Sequence, residues 1–154
     1  MTYYPDLSPC SYFDEENADK LVAVGWLEEN HSYTHRELSE SFVDKLIDLL
    51  VKPWAPMYFM GFHDCPFCTP PEGPYKLVYK GTTIQIGAYN LFVPSDGFLY
   101  AAPSLIAHYI LSHGYAPPAE FCEAVMRCPP MRSREYLDAI KTNAPKEFAD
   151  RIKS

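Results

Sequence analysis

The hydrophobic pattern of this chain changes once, near Pro103, and this change constrains the fold more than any other feature. Before Pro103, apolar and aromatic residues form short runs separated by turn signals, whereas after it they recur at helical spacing. Strands that precede a run of helices are typical of an α+β domain. We therefore expect an α+β fold with a mostly antiparallel sheet of about five or six strands, one helix in the N-terminal half and a C-terminal run of about three to four helices.

The predicted strands begin with the nearly continuous apolar run 21–27, which indicates an inner position in a sheet. An aromatic-rich run at 57–63 predicts another strand, which leads directly into Cys65. Two hairpins are predicted next, because strand-like segments flank turn sequences at 80–81 and 94–97. Their strands are expected at 75–79, 82–86, 88–93 and 98–101.

The first predicted helix follows from apolar residues at helical spacing between 38 and 50, and Pro53 closes it. Its start is open, because both Thr34 and Ser39 fit the N-cap position. The helices of the C-terminal region are expected at 104–113, 118–127, 133–141 and 146–152.

Size and charge limit the class of protein. A chain of 154 residues, 47% of them hydrophobic, is expected to form a single domain over 1–154 with a sizeable core. The net charge is −7, and it is unevenly distributed: residues 1–74 carry 13 acidic and 4 basic side chains, residues 75–154 carry 7 and 9. This balance argues against binding to nucleic acid or to an anionic membrane. It is compatible with a protein partner that has a basic surface, although a solvated, solubilising face explains the acidic half as well.

Cysteine usage favours a reducing compartment. The chain has five cysteines, an odd number, with no leader pattern and no run of eighteen apolar residues. We therefore expect a cytoplasmic protein with reduced thiols. In that setting a closely spaced cysteine pair is more often a metal or redox site than a disulfide.

The pair Cys65 and Cys68 predicts a zinc site. Cysteines separated by two residues can bind one ion because the intervening turn holds both sulfur atoms on one side. If 57–63 is a strand, side-chain alternation places His63 on the same face as Cys65, so that three ligands come from one short segment.

The fourth ligand is expected from the helix at 104–113, which contains two histidines. His108 lies among apolar residues, where a buried imidazole needs a partner, so it is the preferred ligand. His113 also fits the His-x3-5-His spacing of zinc sites, although a surface position favoured by the negative end of the helix explains it as well. The predicted ligands of a structural zinc ion are thus His63, Cys65, Cys68 and His108.

Three other interpretations of the cysteine pair stay open. Cys-Pro-Phe-Cys is similar to the Cys-Pro-x-Cys motif of glutaredoxin-like proteins, which implies a thiol-disulfide oxidoreductase with Cys65 as nucleophile and Cys68 as resolving thiol. Prolines follow Cys68 where that motif has a helix, and this weakens the resemblance. A zinc-dependent hydrolase, with three protein ligands, a water molecule and Asp64 or another carboxylate as general base, is the second alternative. Two unliganded thiols, with His108 as an ordinary core histidine, are the third.

The remaining cysteines and histidines are expected outside the site. Cys122 lies on the apolar stripe of its helix and is expected in the core, while Cys10 and Cys128 have no partner at useful spacing. His31 and His35 are expected at the surface. The sequence contains no phosphate loop and no nucleophile elbow, so a noncatalytic role is favoured.

Two segments carry a resemblance to a family. Residues 59–68, which include His-Asp-Cys-Pro-Phe-Cys, and residues 102–115 resemble small uncharacterised bacterial proteins that are grouped as a domain of unknown function. The resemblance implies a bacterial, cytosolic origin and no particular activity. The expected function is therefore that of a noncatalytic, zinc-stabilised interaction or regulatory domain.

Overall fold

The computed structural model describes residues 3–10, 20–54, 64–68 and 75–150. Within these ranges the chain folds into five strands and five helices, which confirms the α+β class. In chain order the elements are β1 (Leu21–Ala23), α1 (Glu40–Leu50), β2 (Lys76–Tyr79), β3 (Thr82–Gln85), β4 (Asn90–Pro94), β5 (Leu99–Pro103), α2 (Ile106–His113), α3 (Ala119–Arg127), α4 (Arg134–Asn143) and α5 (Lys146–Ala149).

The strands of the described ranges form two small sheets, so a single sheet of five or six strands is not confirmed. One sheet has the order β1-β5-β4 and the other is the β2-β3 hairpin. β4 and β5 are antiparallel, whereas β1 runs parallel to β5. The strand predicted at 57–63 lies outside the described residues.

β1 is shorter than predicted and does not lie at the centre of its sheet. β5 is the central strand, and all five of its residues are buried. The other edge of β1 is bonded to the N-terminal segment: the Cys10 amide donates to the Leu21 carbonyl (2.7 Å) and the Ala23 amide to the Ser8 carbonyl (2.8 Å). The apolar run 21–27 correctly indicated that β1 is largely buried. Burial alone, however, does not indicate which strands pair with each other.

Local turn and cap chemistry determines where the elements begin and end. Lys80 and Gly81 both have positive φ (47° and 81°), the conformation of a two-residue hairpin turn that matches strand twist. α1 begins after Ser39, whose Oγ accepts from the Phe42 amide (3.2 Å), so Ser39 and not Thr34 is the N-cap.

Replacing Ser39 by alanine is expected to destabilise the fold by about 1 kcal/mol, because the Phe42 amide loses its acceptor. Urea unfolding followed by circular dichroism measures this. The matched control is Ser39→Asp, which retains an acceptor at the cap and should stay within about 0.5 kcal/mol of the parent protein. Equal stabilities for the alanine and aspartate variants would contradict the assigned cap.

The core holds the central strand against the helices and delivers α2 to the candidate site. Buried hydrogen bonds fix the layers: Trp26 Nε1 donates to the Ala101 carbonyl (2.9 Å), and the Tyr136 hydroxyl donates to the Phe92 carbonyl (2.7 Å). Ser104 joins β5 to α2, and its buried Oγ accepts from the Gly87 amide (2.9 Å). The start of α2 is therefore anchored to the sheet. No helix in the described ranges is both long and apolar enough to cross a bilayer.

Candidate metal centre

The segment 64–68 forms a tight turn that presents two sulfur atoms together. The Cys68 amide donates to the Cys65 carbonyl (3.3 Å), and the Phe67 amide donates to Cys65 Sγ (3.4 Å). Cys65 is 3% exposed and Cys68 is half-buried. An amide that points at a sulfur stabilises negative charge on it, so this turn is suited to a thiolate.

The end of α2 is widened, and this brings two histidines together. The amides of Gly114 and Tyr115 both donate to the Tyr109 carbonyl, five and six residues earlier, instead of continuing the regular four-residue pattern. A regular α-helix separates side chains five positions apart by about 140° around its axis. With this ending, and with Gly114 at φ 68°, His113 Nε2 lies 3.2 Å from His108 Nε2.

Four potential ligand atoms converge on one point. His113 Nε2 lies 3.4 Å from Cys65 Sγ and 3.6 Å from Cys68 Sγ, while Cys68 Sγ lies 3.3 Å from His108 Nε2. All four atoms lie within 4.8 Å of one another. Zinc bonds of about 2.0 Å to nitrogen and about 2.3 Å to sulfur give tetrahedron edges of about 3.3 Å between nitrogens and about 3.5 Å from nitrogen to sulfur.

Hydrogen bonding alone does not account for this convergence. His113 Nε2 faces three heteroatoms at once, but a neutral imidazole nitrogen is either one donor or one acceptor. Two Nε2 atoms at 3.2 Å can share only one proton. A cation at the centre would satisfy all four atoms together, and the observed edge lengths suit a tetrahedral ion.

Burial favours the uncharged forms of Cys65, His108 and His113 when no cation is bound. Desolvation, with a smaller contribution from the Cys68 thiol, raises the pKa of Cys65 to about 11. Burial, and next the nearby His113 ring, lowers the pKa of His108 to about 4, and burial also lowers the pKa of His113. A dication with two thiolates and two neutral imidazoles would likewise have no net charge, which is compatible with a buried position.

Aromatic rings cover one side of the cluster. The Phe67 ring lies 5.2 Å from the His113 ring, 5.3 Å from Tyr33 and 5.9 Å from Tyr109, measured between centroids. The Tyr33 hydroxyl donates to the His113 carbonyl (2.9 Å), which holds the helix end in place. The turn at 64–68 is thereby packed onto α2 through Phe67, between the two cysteines.

The structure brings together Cys65, Cys68 and His108 from the predicted set, with His113 as the fourth member. His63 lies outside the described residues. The sequence signal for His113 was its spacing from His108, which fits paired zinc ligands. A regular α-helical end would have left the rings of His108 and His113 far apart. The spacing of five residues therefore did not favour His113 as a ligand.

The geometry gives little support to the catalytic alternatives. Asp64 is exposed and accepts a hydrogen bond from the Tyr75 hydroxyl (2.7 Å). Cys65 is buried in a turn, and the raised pKa of its thiol is opposite to what a nucleophilic cysteine needs. Four protein ligands would also leave no open position for a substrate or a catalytic water.

The other cysteines and histidines of the described ranges lie outside the cluster. Cys10 and Cys128 are buried, and Cys122 is half-buried with its Sγ 3.8 Å from the Pro117 carbonyl oxygen. His31 and His35 are exposed, as predicted. No disulfide joins cysteines within these ranges.

The fold and the site define an α+β domain with a candidate Cys2His2 metal centre. A family model described as Domain of unknown function (DUF7919) matches residues 2–126, and the chain belongs to this family. The matched stretch contains all four cluster residues and ends within α3. No curated protein and no solved structure matches the chain.

Proposed function

We propose that this chain is a noncatalytic, zinc-stabilised interaction or regulatory domain of the bacterial cytosol. Cys65, Cys68, His108 and His113 would hold one zinc ion. The observation that carries the proposal is the convergence of four ligand atoms within 4.8 Å of one another. Four of their six pairs lie 3.2 to 3.6 Å apart, which suits the edges of a tetrahedral zinc site.

The donor set favours zinc over other metals. Two thiolates and two imidazoles in tetrahedral arrangement are typical of structural zinc sites, while magnesium and calcium prefer oxygen ligands. Two thiolates also donate so much charge that the ion would be a weak Lewis acid. These properties support a structural role for the ion and argue against a hydrolase.

The zinc ion would join two parts of the chain that are distant in sequence. One part is the turn at 64–68, and the other is α2, which is anchored to the central strand through Ser104. Within the described residues, the turn meets α2 through its cysteines, which lie close to the two histidines, and through the Phe67 ring, which contacts the rings of Tyr109 and His113. Zinc would therefore supply much of the free energy that keeps the turn on the helix.

The charge of the surface supports a protein partner. Along α1, exposed Glu40, Asp44 and Asp48 recur at four-residue spacing. Lys80 of the β2-β3 turn pairs with Glu40 and Asp44, but the net charge of this surface remains negative. Such a surface repels phosphate backbones and suits a basic protein surface.

Zinc titration of the reduced, metal-free chain tests the proposal. We expect one equivalent to bind, with an affinity that rises by at least about tenfold per pH unit between pH 6 and 8. The Cys65 thiol, with a pKa of about 11, must lose its proton on binding, whereas His108, with a pKa of about 4, is already neutral. Competition with a chromophoric chelator measures the affinity.

The control for this titration is Asp64→Asn, which removes a neighbouring carboxylate that is exposed and bonded to Tyr75. Its zinc affinity and pH slope should equal those of the parent chain. Absence of binding, or an affinity that does not change with pH, would refute the proposed site.

A further inference from the structure

The segment 33–36 docks onto the last residue of α2 and the residues that follow it. Each of its four residues contacts the stretch 113–117 through a hydrogen bond or a backbone bridge. The contacts are the Tyr33 hydroxyl to the His113 carbonyl (2.9 Å), the Ala116 amide to the Thr34 carbonyl (2.8 Å), the antiparallel bridge between His35 and Tyr115, and Arg36 Nη2 to the Pro117 carbonyl (3.0 Å). Apart from Tyr33, which is half-buried, the segment is exposed, so these contacts hold it in place.

The end of α2 needs partners from outside the helix. The last four carbonyls of a helix have no amide partner within it. Here the two amides that follow His113 both donate to the Tyr109 carbonyl, and the His113 carbonyl accepts from the Tyr33 hydroxyl. A Cβ atom at Gly114 would lie 3.2 Å from His35 Nδ1, so the segment also packs closely against the turn that ends the helix. The widened helix end is therefore stabilised from outside.

Tyr33 contacts both parts of the candidate metal centre. Its hydroxyl bonds to the backbone of His113, and its ring lies 5.3 Å from the ring of Phe67, between the two cysteines. Phe67 in turn lies 5.2 Å from the His113 ring. A side chain that holds ligand-bearing segments without supplying a ligand atom is typical of the outer partners that orient metal ligands.

The geometry of the helix end decides whether His113 can reach the metal. A regular α-helical end would turn the His113 side chain about 140° away from that of His108. If the segment 33–36 were undocked, the helix end would be free to relax, and metal binding would have to restore its widened form. A ligand that is already in place avoids this cost, so outer partners of metal ligands typically raise metal affinity by about 10-fold to 100-fold.

We propose that the segment 33–36 positions His113 for the metal, so that docking of this segment and metal binding strengthen each other. This inference rests on the proposed zinc site. Tyr33 is a positioning residue, because its hydroxyl acts on the backbone of a ligand residue and the four ligand atoms come from other side chains. Coupling between two binding events is reciprocal. The metal therefore stabilises the docked segment by the same factor by which the docked segment raises metal affinity.

The test is a cobalt(II) titration of Tyr33→Phe followed by absorption spectroscopy. This change removes the hydroxyl that bonds to His113 and keeps the ring that packs on Phe67. We expect cobalt affinity to fall by about 10-fold and the metal to pass faster to a competing chelator. The spectrum at saturating cobalt should equal that of the parent chain, because the ligand atoms are unchanged.

The matched control is Tyr136→Phe, which also removes a hydroxyl that donates to a backbone carbonyl, that of Phe92 (2.7 Å), but outside the cluster. It should lower the melting temperature of the metal-free chain and leave cobalt affinity unchanged at temperatures where the chain is folded. If Tyr33→Phe also changes only the melting temperature, the Tyr33 hydroxyl has a structural role and the inference is wrong.

Hydrogen exchange of the parent chain gives a second readout without a variant. The Ala116 amide donates to the Thr34 carbonyl, so its exchange rate reports whether the segment 33–36 is docked. Cobalt should slow this exchange by about 10-fold, the factor expected for affinity. The Ala144 amide, which donates to the Ile140 carbonyl at the end of α4 (2.8 Å), is the control and should change little.

The outcomes separate this inference from the zinc site itself. Failure of the parent chain to bind cobalt would refute the zinc site and the inference with it. Cobalt binding by the parent chain, with either an equal affinity in Tyr33→Phe or an unchanged exchange rate at Ala116, would refute only the role of the segment 33–36.

Discussion

Alanine at Cys68 is expected to lower the melting temperature of the zinc-loaded chain by about 10 °C. Zinc at a thousandfold excess over its dissociation constant stabilises a fold by about 4 kcal/mol, and each kcal/mol corresponds to about 2 to 4 °C in a domain of this size. Cys68 is half-buried, so removing its sulfur leaves no large cavity in the core. The loss should therefore reflect the metal and not packing.

Two comparisons isolate the contribution of zinc. In excess chelator, Cys68→Ala and the parent chain should melt within about 2 °C of each other, because neither holds the ion. Cys122→Ala, which replaces another half-buried cysteine outside the cluster, should lose little stability with or without zinc. An equal destabilisation of Cys68→Ala in zinc and in chelator would show that the sulfur acts through packing.

Replacing His113 by alanine is expected to weaken zinc binding by about 100-fold. Structural zinc in small domains contributes about 10 to 16 kcal/mol, so one of four ligands accounts for about 3 kcal/mol, and 1.4 kcal/mol is a factor of ten. His113 is half-buried at the end of α2, and the fold should tolerate the change. Chelator competition measures the affinity of the purified variant.

The same experiment with His63→Ala decides between the two candidate fourth ligands. With the cluster as the ligand set, His63→Ala should bind zinc within about threefold of the parent chain, since a tetrahedral ion needs no fifth ligand. His31→Ala, which removes an exposed histidine that stacks on Tyr3, serves as the control for histidine loss at the surface. A 100-fold loss in His63→Ala with none in His113→Ala would assign the fourth ligand to His63.

The sequence predicted features that depend on local chemistry. Gly81 and Gly114 adopt positive φ, and the hydroxyl of Ser39 accepts a hydrogen bond at the start of α1. Each of these effects acts within a few residues, so the turns and helix ends that they determine can be predicted from the sequence. The change of hydrophobic period near Pro103 also predicted the α+β class. Residues that face the core recur at the period of the strand or helix that carries them, so the period indicates the type of element.

Strand pairing could not be obtained in this way. The apolar run that contains β1 indicates burial on both faces, but it does not distinguish a central strand from one covered by a neighbouring segment. Here residues 7–10 bond to one edge of β1, and β5 pairs with the other edge in parallel. Residues 7–10 are not a regular strand, and β5 is distant from β1 along the chain. The hydrophobic periodicity of a segment therefore cannot predict either pairing.

The candidate site was predictable in part. The spacing of Cys65 and Cys68 and the apolar surroundings of His108 were sufficient to place these three side chains in one cluster. His113 depends on the widened helix end, which forms only when Gly114 takes a positive φ and the Tyr109 carbonyl accepts two amides. Tyr33 and Phe67, which both contact His113, come from segments distant in sequence. The helical period carries no information on such contacts and by itself pointed His113 away from His108.

X-ray absorption spectroscopy at the zinc edge of the purified, reduced chain tests the central claim most directly. We expect about one zinc ion per chain, with two sulfur neighbours at about 2.3 Å and two nitrogen neighbours at about 2.0 to 2.1 Å, and histidine signals in the outer shells. A chain that takes up no zinc, or one whose zinc has only oxygen and nitrogen neighbours, would contradict the assignment of Cys65, Cys68, His108 and His113 as its ligands.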